Sequence, residues 1–166
     1  MRIFLIGFMG SGKTHWGRIW AQQYGMEFFD LDEMIEQQEQ KTVDAIFEQE
    51  GEDHFRKTES ALLRTLFKKD HCIIAGGGGT PCFHNNMQWM NSNGTTIYLQ
   101  ATPEQLVERI EKEKDKRPLL KKLNQADLLS FIDDKLTERE PFYNSSQIII
   151  PVDKLNTESL EKILNS

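Results

Sequence analysis

The 166-residue chain is short of several things, and each shortage excludes a class of protein. Its two cysteines, Cys72 and Cys82, are too few for a disulfide framework and lack metal-ligand spacing. Two free thiols in a reducing cytoplasm are therefore expected. The four histidines (His15, His54, His71, His84) show no ligand spacing either. No segment approaches the ~20 apolar residues of a membrane span. The opening MRIFLIGFM lacks a small-residue cleavage site and runs directly into GSGKT, so it reads as a buried first strand rather than a signal peptide. Neither an internal repeat nor a Gly/Ser/Pro-rich linker divides the chain. Positive charge is also scarce, with 20 Lys+Arg against 26 Asp+Glu and a net charge of −6. That balance argues against a protein that coats nucleic acid.

What is present suits one compact domain spanning residues 1–166, with 38% hydrophobic residues to form its core. Short apolar runs alternate with helical patterns. Strands are expected at Ile3–Ile6, Glu27–Asp30, His71–Ala75, Thr95–Leu99 and Gln147–Ile150. Helices are expected at Lys13–Tyr24, Asp32–Gln38, Val43–Phe67 with a break near Gly51, after Thr102-Pro103, and at Thr157–Leu164. This alternation predicts an α/β fold, a parallel sheet covered on both faces, with ligands beyond the carboxyl ends of its strands. A helix should also end ahead of Pro141.

The strongest motif is Gly7-Phe8-Met9-Gly10-Ser11-Gly12-Lys13-Thr14, a full match to G-x-x-x-x-G-K-[ST] between a strand and a helix. Its glycines let successive N–H groups face a phosphate at a helix N-terminus. Lys13 would reach the β/γ-phosphates and the Thr14 hydroxyl would bind Mg²⁺, so a nucleoside triphosphate is the expected ligand. Asp30 and Asp32 close the second strand. Each could hold Mg²⁺ or take a proton from a hydroxyl, or could simply cap the next helix. Locally, Arg56 looks like the i,i+3 partner of Glu59 on a solvated face. Gly76–Gly79 leaves backbone N–H groups open to a ligand, or is a flexible turn.

Charge is unevenly spread. From Arg109 to Lys122 seven bases face three acids, a local +4 that leaves −10 on the rest of the chain. Arg117 within it is either part of a solvated run or the phosphate-reaching arginine of a flap. Trp16, Trp20 and Trp89 are expected to serve packing.

Taken in order, these motifs resemble the shikimate kinase family. GFMGSGKT is similar to its phosphate loop, FFDLD to its Asp-x-Asp, GEDHFRKTE to its G-E-x-x-F-R-x-x-E, the glycine run to its triplet, KRPLL to its lid and EREPFY to its R-x-P-x-Y. The resemblance spans nearly the whole chain. It implies a P-loop kinase three-layer αβα sandwich on a five-stranded parallel sheet, with a mobile lid at about 109–122 and a substrate-binding helical region at about 32–62. It also implies a cytoplasmic, monomeric enzyme that uses ATP and Mg²⁺ to phosphorylate the 3-hydroxyl of shikimate, without nucleic-acid or membrane partners. By position, Lys13, Asp32 and Arg117 match catalytic residues. Gly10, Ser11, Gly12, Lys13, Thr14, His15, Arg109 and Arg117 match nucleotide contacts, and Thr14 and Asp30 the metal site. Asp32, Arg56, Gly77, Gly78, Gly79 and Arg139 match substrate contacts, the extra Gly76 leaving the register of the triplet open by one residue. The chain departs from the family at His15, where a small hydroxyl residue is common, and in the weakly matching segment from Val152 to Asn156. Gluconate kinase and nucleoside monophosphate kinases are the rival enzymes. A GTP-dependent switch is disfavoured because D-x-x-G and N-K-x-D are missing.

Overall fold

A computed structural model describes residues 1–113 and 120–165. Five strands form one parallel sheet in the order β2-β3-β1-β4-β5: β1 (Arg2–Ile6), β2 (Glu27–Asp30), β3 (Cys72–Ala75), β4 (Thr95–Gln100) and β5 (Ile148–Pro151). Ile3, Phe4, Leu5 and Ile6 in β1, and all of β3, are at most 1% exposed. Such runs require cover on both faces, and each buried Ile, Leu or Phe contributes roughly 1.5–3 kcal/mol. The α/β expectation holds.

The helices are α1 (Lys13–Tyr24), α2 (Leu31–Glu39), α3 (Val43–Glu50), α4 (Glu52–Thr65), α5 (Asn86–Asn93), α6 (Pro103–Lys112), α7 (Gln125–Tyr143) and α8 (Ser159–Leu164). α1 stops at Gly25, which adopts the left-handed conformation (φ 62°) and returns its N–H to the Ala21 carbonyl. Thr102 and Gln105 cap α6 reciprocally, with Pro103 at its first position. Gly51 separates α3 from α4 where a break is expected.

Two features depart from expectation. α5 and the body of α7 carry no clear sequence signal. And α7 does not end ahead of Pro141 but runs through it to Tyr143. Proline removes one N–H and crowds the preceding turn, yet the next turn still closes through Asn144 N–H to the Glu140 carbonyl at 2.8 Å. Tertiary packing holds that turn: Tyr143 is fully buried, tilts against Tyr98 at 5.0 Å and donates its hydroxyl to the Gly78 carbonyl.

Register aligns three strand ends. Ala75 pairs with both Leu5 and Asp30, so β1, β2 and β3 finish level with one another. The phosphate-loop motif, Asp30-Leu31-Asp32 and the glycine run therefore leave the sheet at one edge. Nearby, His54 lies 2.6 Å from Glu50 and 3.3 Å from Glu39, and Lys41 pairs with Glu50 at 3.0 Å. This cluster, unannounced by histidine spacing, ties the ends of α2, α3 and α4 together. No helix among the described residues is long and apolar enough to cross a membrane.

Candidate active site

The loop from Gly7 to Thr14 wraps the N-terminus of α1. Gly10 and Gly12 take φ values of 82° and 96°, which L side chains rarely adopt. Lys13 is buried, its ammonium donating to the Gly7 and Phe8 carbonyls at 2.7 and 2.9 Å. Ser11 is fully buried; Thr14 and His15 are exposed at the start of α1. Arg109, on α6, donates to the Gly10 and Ser11 carbonyls at 3.3 and 3.0 Å, so the expected nucleotide contacts from Gly10 to His15 and Arg109 adjoin one another.

Asp30 caps the next helix, one of its expected roles, and also reaches the phosphate-loop helix. One carboxylate oxygen accepts from the Asp32 and Glu33 N–H groups and caps α2; the other accepts from Thr14 Oγ1 at 2.7 Å. Thr14 Oγ1 and Asp30 Oδ2 are hard oxygens at about the spacing of two adjacent ligands on octahedral Mg²⁺, so this pair fits that ion.

Asp32, in the first turn of α2, is partly buried. Burial, then the Asp30 and Glu59 carboxylates, push its pKa up to about 6, opposed by the Lys13 charge. A carboxylate so tuned is ionised at neutral pH yet basic enough to take a proton.

The glycine run decides the geometry. A Cβ on Gly77 would stand 3.1 Å from Asp32 Oδ1 and 3.4 Å from Glu59 Oε2. On Gly78 it would lie 2.9 Å from Arg139 Nη1 and 3.4 Å from the Met9 nitrogen of the phosphate loop. On Gly79 it would overlap Arg56 Nη2 and stand 2.8 Å from Arg56 Cζ. Gly76 differs, for the atoms nearest its Cβ would be those of Thr80, at an ordinary 3.4 Å. The three glycines that make room for polar side chains are thus Gly77, Gly78 and Gly79. These glycines do more than expose N–H groups, because they leave room for three polar side chains arriving from α2, α4 and α7. Gly79→Ala should displace the Arg56 guanidinium and raise the KM for the phosphoryl acceptor roughly tenfold or more, while Gly76→Ala stays within twofold; equal effects from the two substitutions would refute the steric account.

Arg56 corrects its local reading. The i,i+3 pair with Glu59 exists, at 2.9 Å, but it is buried rather than solvated: Arg56 is 7% exposed and Glu59 0%. Burial comes from the glycine run and from Phe83, whose ring centroid lies 4.2 Å from Arg56 Cζ. Sequence reasoning saw Glu59 in the motif but gave it no function, since local pattern cannot show what covers α4. Arg139 lies over the Phe8 ring at 5.3 Å. Arg117 and the centre of the expected lid lie outside the described residues. Cys82 abuts this site, and burial pushes its thiol up to about 11, which keeps it protonated.

Comparison with known proteins bears on what this arrangement serves. The shikimate kinase family profile matches residues 9–166. The chain belongs to the shikimate kinase family. It is 42% identical over 158 residues to a shikimate kinase of Parabacteroides distasonis, covering 95% of this chain and 91% of that protein. The crystal structure of a shikimate kinase from Bacteroides thetaiotaomicron superposes with a TM-score of 0.95 at 36% identity, covering 100% of this chain and 99% of that one. A shikimate kinase from Acinetobacter baumannii, solved in complex with shikimate, superposes at 0.85 with 32% identity, over 99% of this chain and 90% of that one. The matched span takes in the Asp30–Asp32 turn, the glycine run and α7.

Proposed function

We propose that this chain transfers the γ-phosphoryl group of ATP to the 3-hydroxyl of shikimate, giving shikimate 3-phosphate for aromatic biosynthesis. The observation that carries the reading is the meeting of Asp32, Arg139 and Arg56 on three consecutive glycines beside the phosphate loop. A carboxylate next to two guanidinium groups suits a polyhydroxylated acid. Arg56 and Arg139 hold the substrate carboxylate by charge-assisted bonds, and Asp32 faces the ring hydroxyls.

In the reaction, Asp32 orients the 3-hydroxyl and accepts its proton as that oxygen bonds to the γ-phosphorus. The bond from phosphorus to the oxygen bridging to the β-phosphate breaks, and ADP leaves with the electron pair. Gly10, Ser11, Gly12, Thr14 and His15 cradle the phosphates through the loop and the first turn of α1. Lys13 turns from the loop carbonyls to the β/γ-phosphates, and Arg109 borders the nucleoside. Thr14 and Asp30 would hold Mg²⁺, which when bound draws charge from the phosphates. Arg117, by the family pattern, completes neutralisation from the lid, and closure excludes water. In this reading the protein acts as a cytoplasmic monomer on small molecules, with no nucleic-acid or membrane partner.

An ADP-release assay with shikimate, gluconate and CMP in parallel tests the acceptor. Turnover with shikimate alone is expected, and turnover only with gluconate or CMP would overturn the proposal. In the same assay Arg117→Ala should reduce kcat by at least 100-fold with little change in shikimate KM; wild-type kcat would remove Arg117 from the mechanism.

A further inference from the structure

Behind Arg56 lies a buried polar chain that the reaction does not itself use. Glu59 is fully buried and divides its carboxylate: Oε1 accepts from Arg56 Nη1 at 2.9 Å, and Oε2 accepts from the Thr80 hydroxyl at 2.7 Å. Thr80 is also fully buried and follows the glycine run directly. Its carbonyl accepts from Asn86 Nδ2 at 2.9 Å, and Asn86 Oδ1 in turn accepts from Ser60 and Arg64 at 3.0 and 2.8 Å. Arg56, Glu59, Ser60 and Arg64 share one face of α4. That face therefore grips the turn after the glycines at two points, through Thr80 and through Asn86.

We propose that Thr80 is a positioning residue for shikimate binding, acting through Glu59 to hold the Arg56 guanidinium against Gly79. The reasoning is one of directed lone pairs. A carboxylate sealed from water needs a donor at each oxygen. With the Thr80 hydroxyl on Oε2, Oε1 is left to Arg56 and the carboxylate plane is fixed. Without that hydroxyl, Oε2 has lost a donor in a pocket it shares with the Asp32 carboxylate, both oxygens lying within 3.4 Å of the Cβ position of Gly77. Rotation of Glu59 to satisfy both oxygens from the guanidinium would turn Arg56 away from the substrate. The assignment rests on the reading that Arg56 binds the shikimate carboxylate, and it extends that reading to a residue that makes no contact with substrate.

Thr80→Val removes the hydroxyl and keeps the shape. We expect its shikimate KM to rise about tenfold, with ATP KM and the kcat at saturating shikimate within threefold of wild type. Thr80→Ser, which keeps the hydroxyl, should restore the wild-type KM. Thr80→Ala takes the place of the valine variant if that one shows no cooperative melting transition. In an Arg56→Lys background the valine substitution should add less than twofold to an already raised KM. An unchanged shikimate KM in Thr80→Val, or failure of serine to rescue, would overturn the assignment, as would additive effects in the double variant. If Arg56→Lys itself leaves the shikimate KM unchanged, the underlying reading of Arg56 fails instead, and the two failures are told apart.

Discussion

Asp32→Asn should reduce kcat by about 10²–10⁴-fold, the contribution expected of a positioned proton acceptor, and at the same time stabilise the ligand-free fold at neutral pH. The second effect follows from the raised pKa. Asp32 titrates near 6 in the folded chain against 3.8 as its ordinary value. The folded state therefore holds the proton more tightly than the unfolded one, and stability is lost as pH rises from about 4 to about 6. Above that window the ionised carboxylate costs about 3 kcal/mol at neutral pH, a penalty an asparagine does not carry. The variant should melt several degrees above wild type at pH 8, with the gap closing as the pH falls to 4. Melting curves at both pH values, alongside steady-state kinetics, test the pair of effects. A wild-type kcat would remove Asp32 from proton transfer, and a variant less stable than wild type at pH 8 would contradict the assigned cost of its charge.

Arg56→Ala and Arg139→Ala should each raise the shikimate KM by about 100-fold and leave the ATP KM nearly unchanged, yet differ in stability. Removing Arg56 takes away the guanidinium that answers the charge of the fully buried Glu59 and leaves it the neutral Thr80 hydroxyl, and breaking a buried pair costs about 3–5 kcal/mol. Arg139 is half-buried and stands over Phe8, so its loss leaves no buried charge behind. Thermal melts should therefore fall by 6 °C or more for Arg56→Ala and by much less for Arg139→Ala. Normal calorimetric binding of shikimate by both variants would dismiss the carboxylate assignment. Equal melting temperatures would dismiss the buried pair.

Much of this was legible in the chain because it depends on local chemistry. The phosphate loop needs residues of stated type at stated spacing, and no tertiary arrangement alters which residues those are. The strands at Glu27–Asp30 and Thr95–Gln100 announce themselves through apolar runs between turn signals. Asp30 was ambiguous only because its two oxygens do different things, and a linear reading cannot assign each one a partner.

The buried pair and α7 were not legible, for a shared reason. Arg56 and Glu59 have a spacing common to solvated helix faces, and only the arrival of the glycine run and Phe83 seals them from water. Pro141 ends a helix when nothing else restrains the chain. Here Tyr143, one half-turn later, is held by Tyr98 and the Gly78 carbonyl, and that packing carries the helix past the proline.

Residue types and their short spacings are enough to place a triphosphate beyond the first strand, to show which family the motifs resemble and to supply the polar residues available to the acceptor. They are enough because side-chain chemistry and short-range spacing belong to the chain. Which three glycines make room for Asp32, Arg139 and Arg56, that Glu59 is buried, and that Thr80 stands behind it emerge from the packed fold alone. Those outcomes depend on desolvation and close approach between segments far apart in the chain, and neither exists until the sheet has brought the three strand ends level.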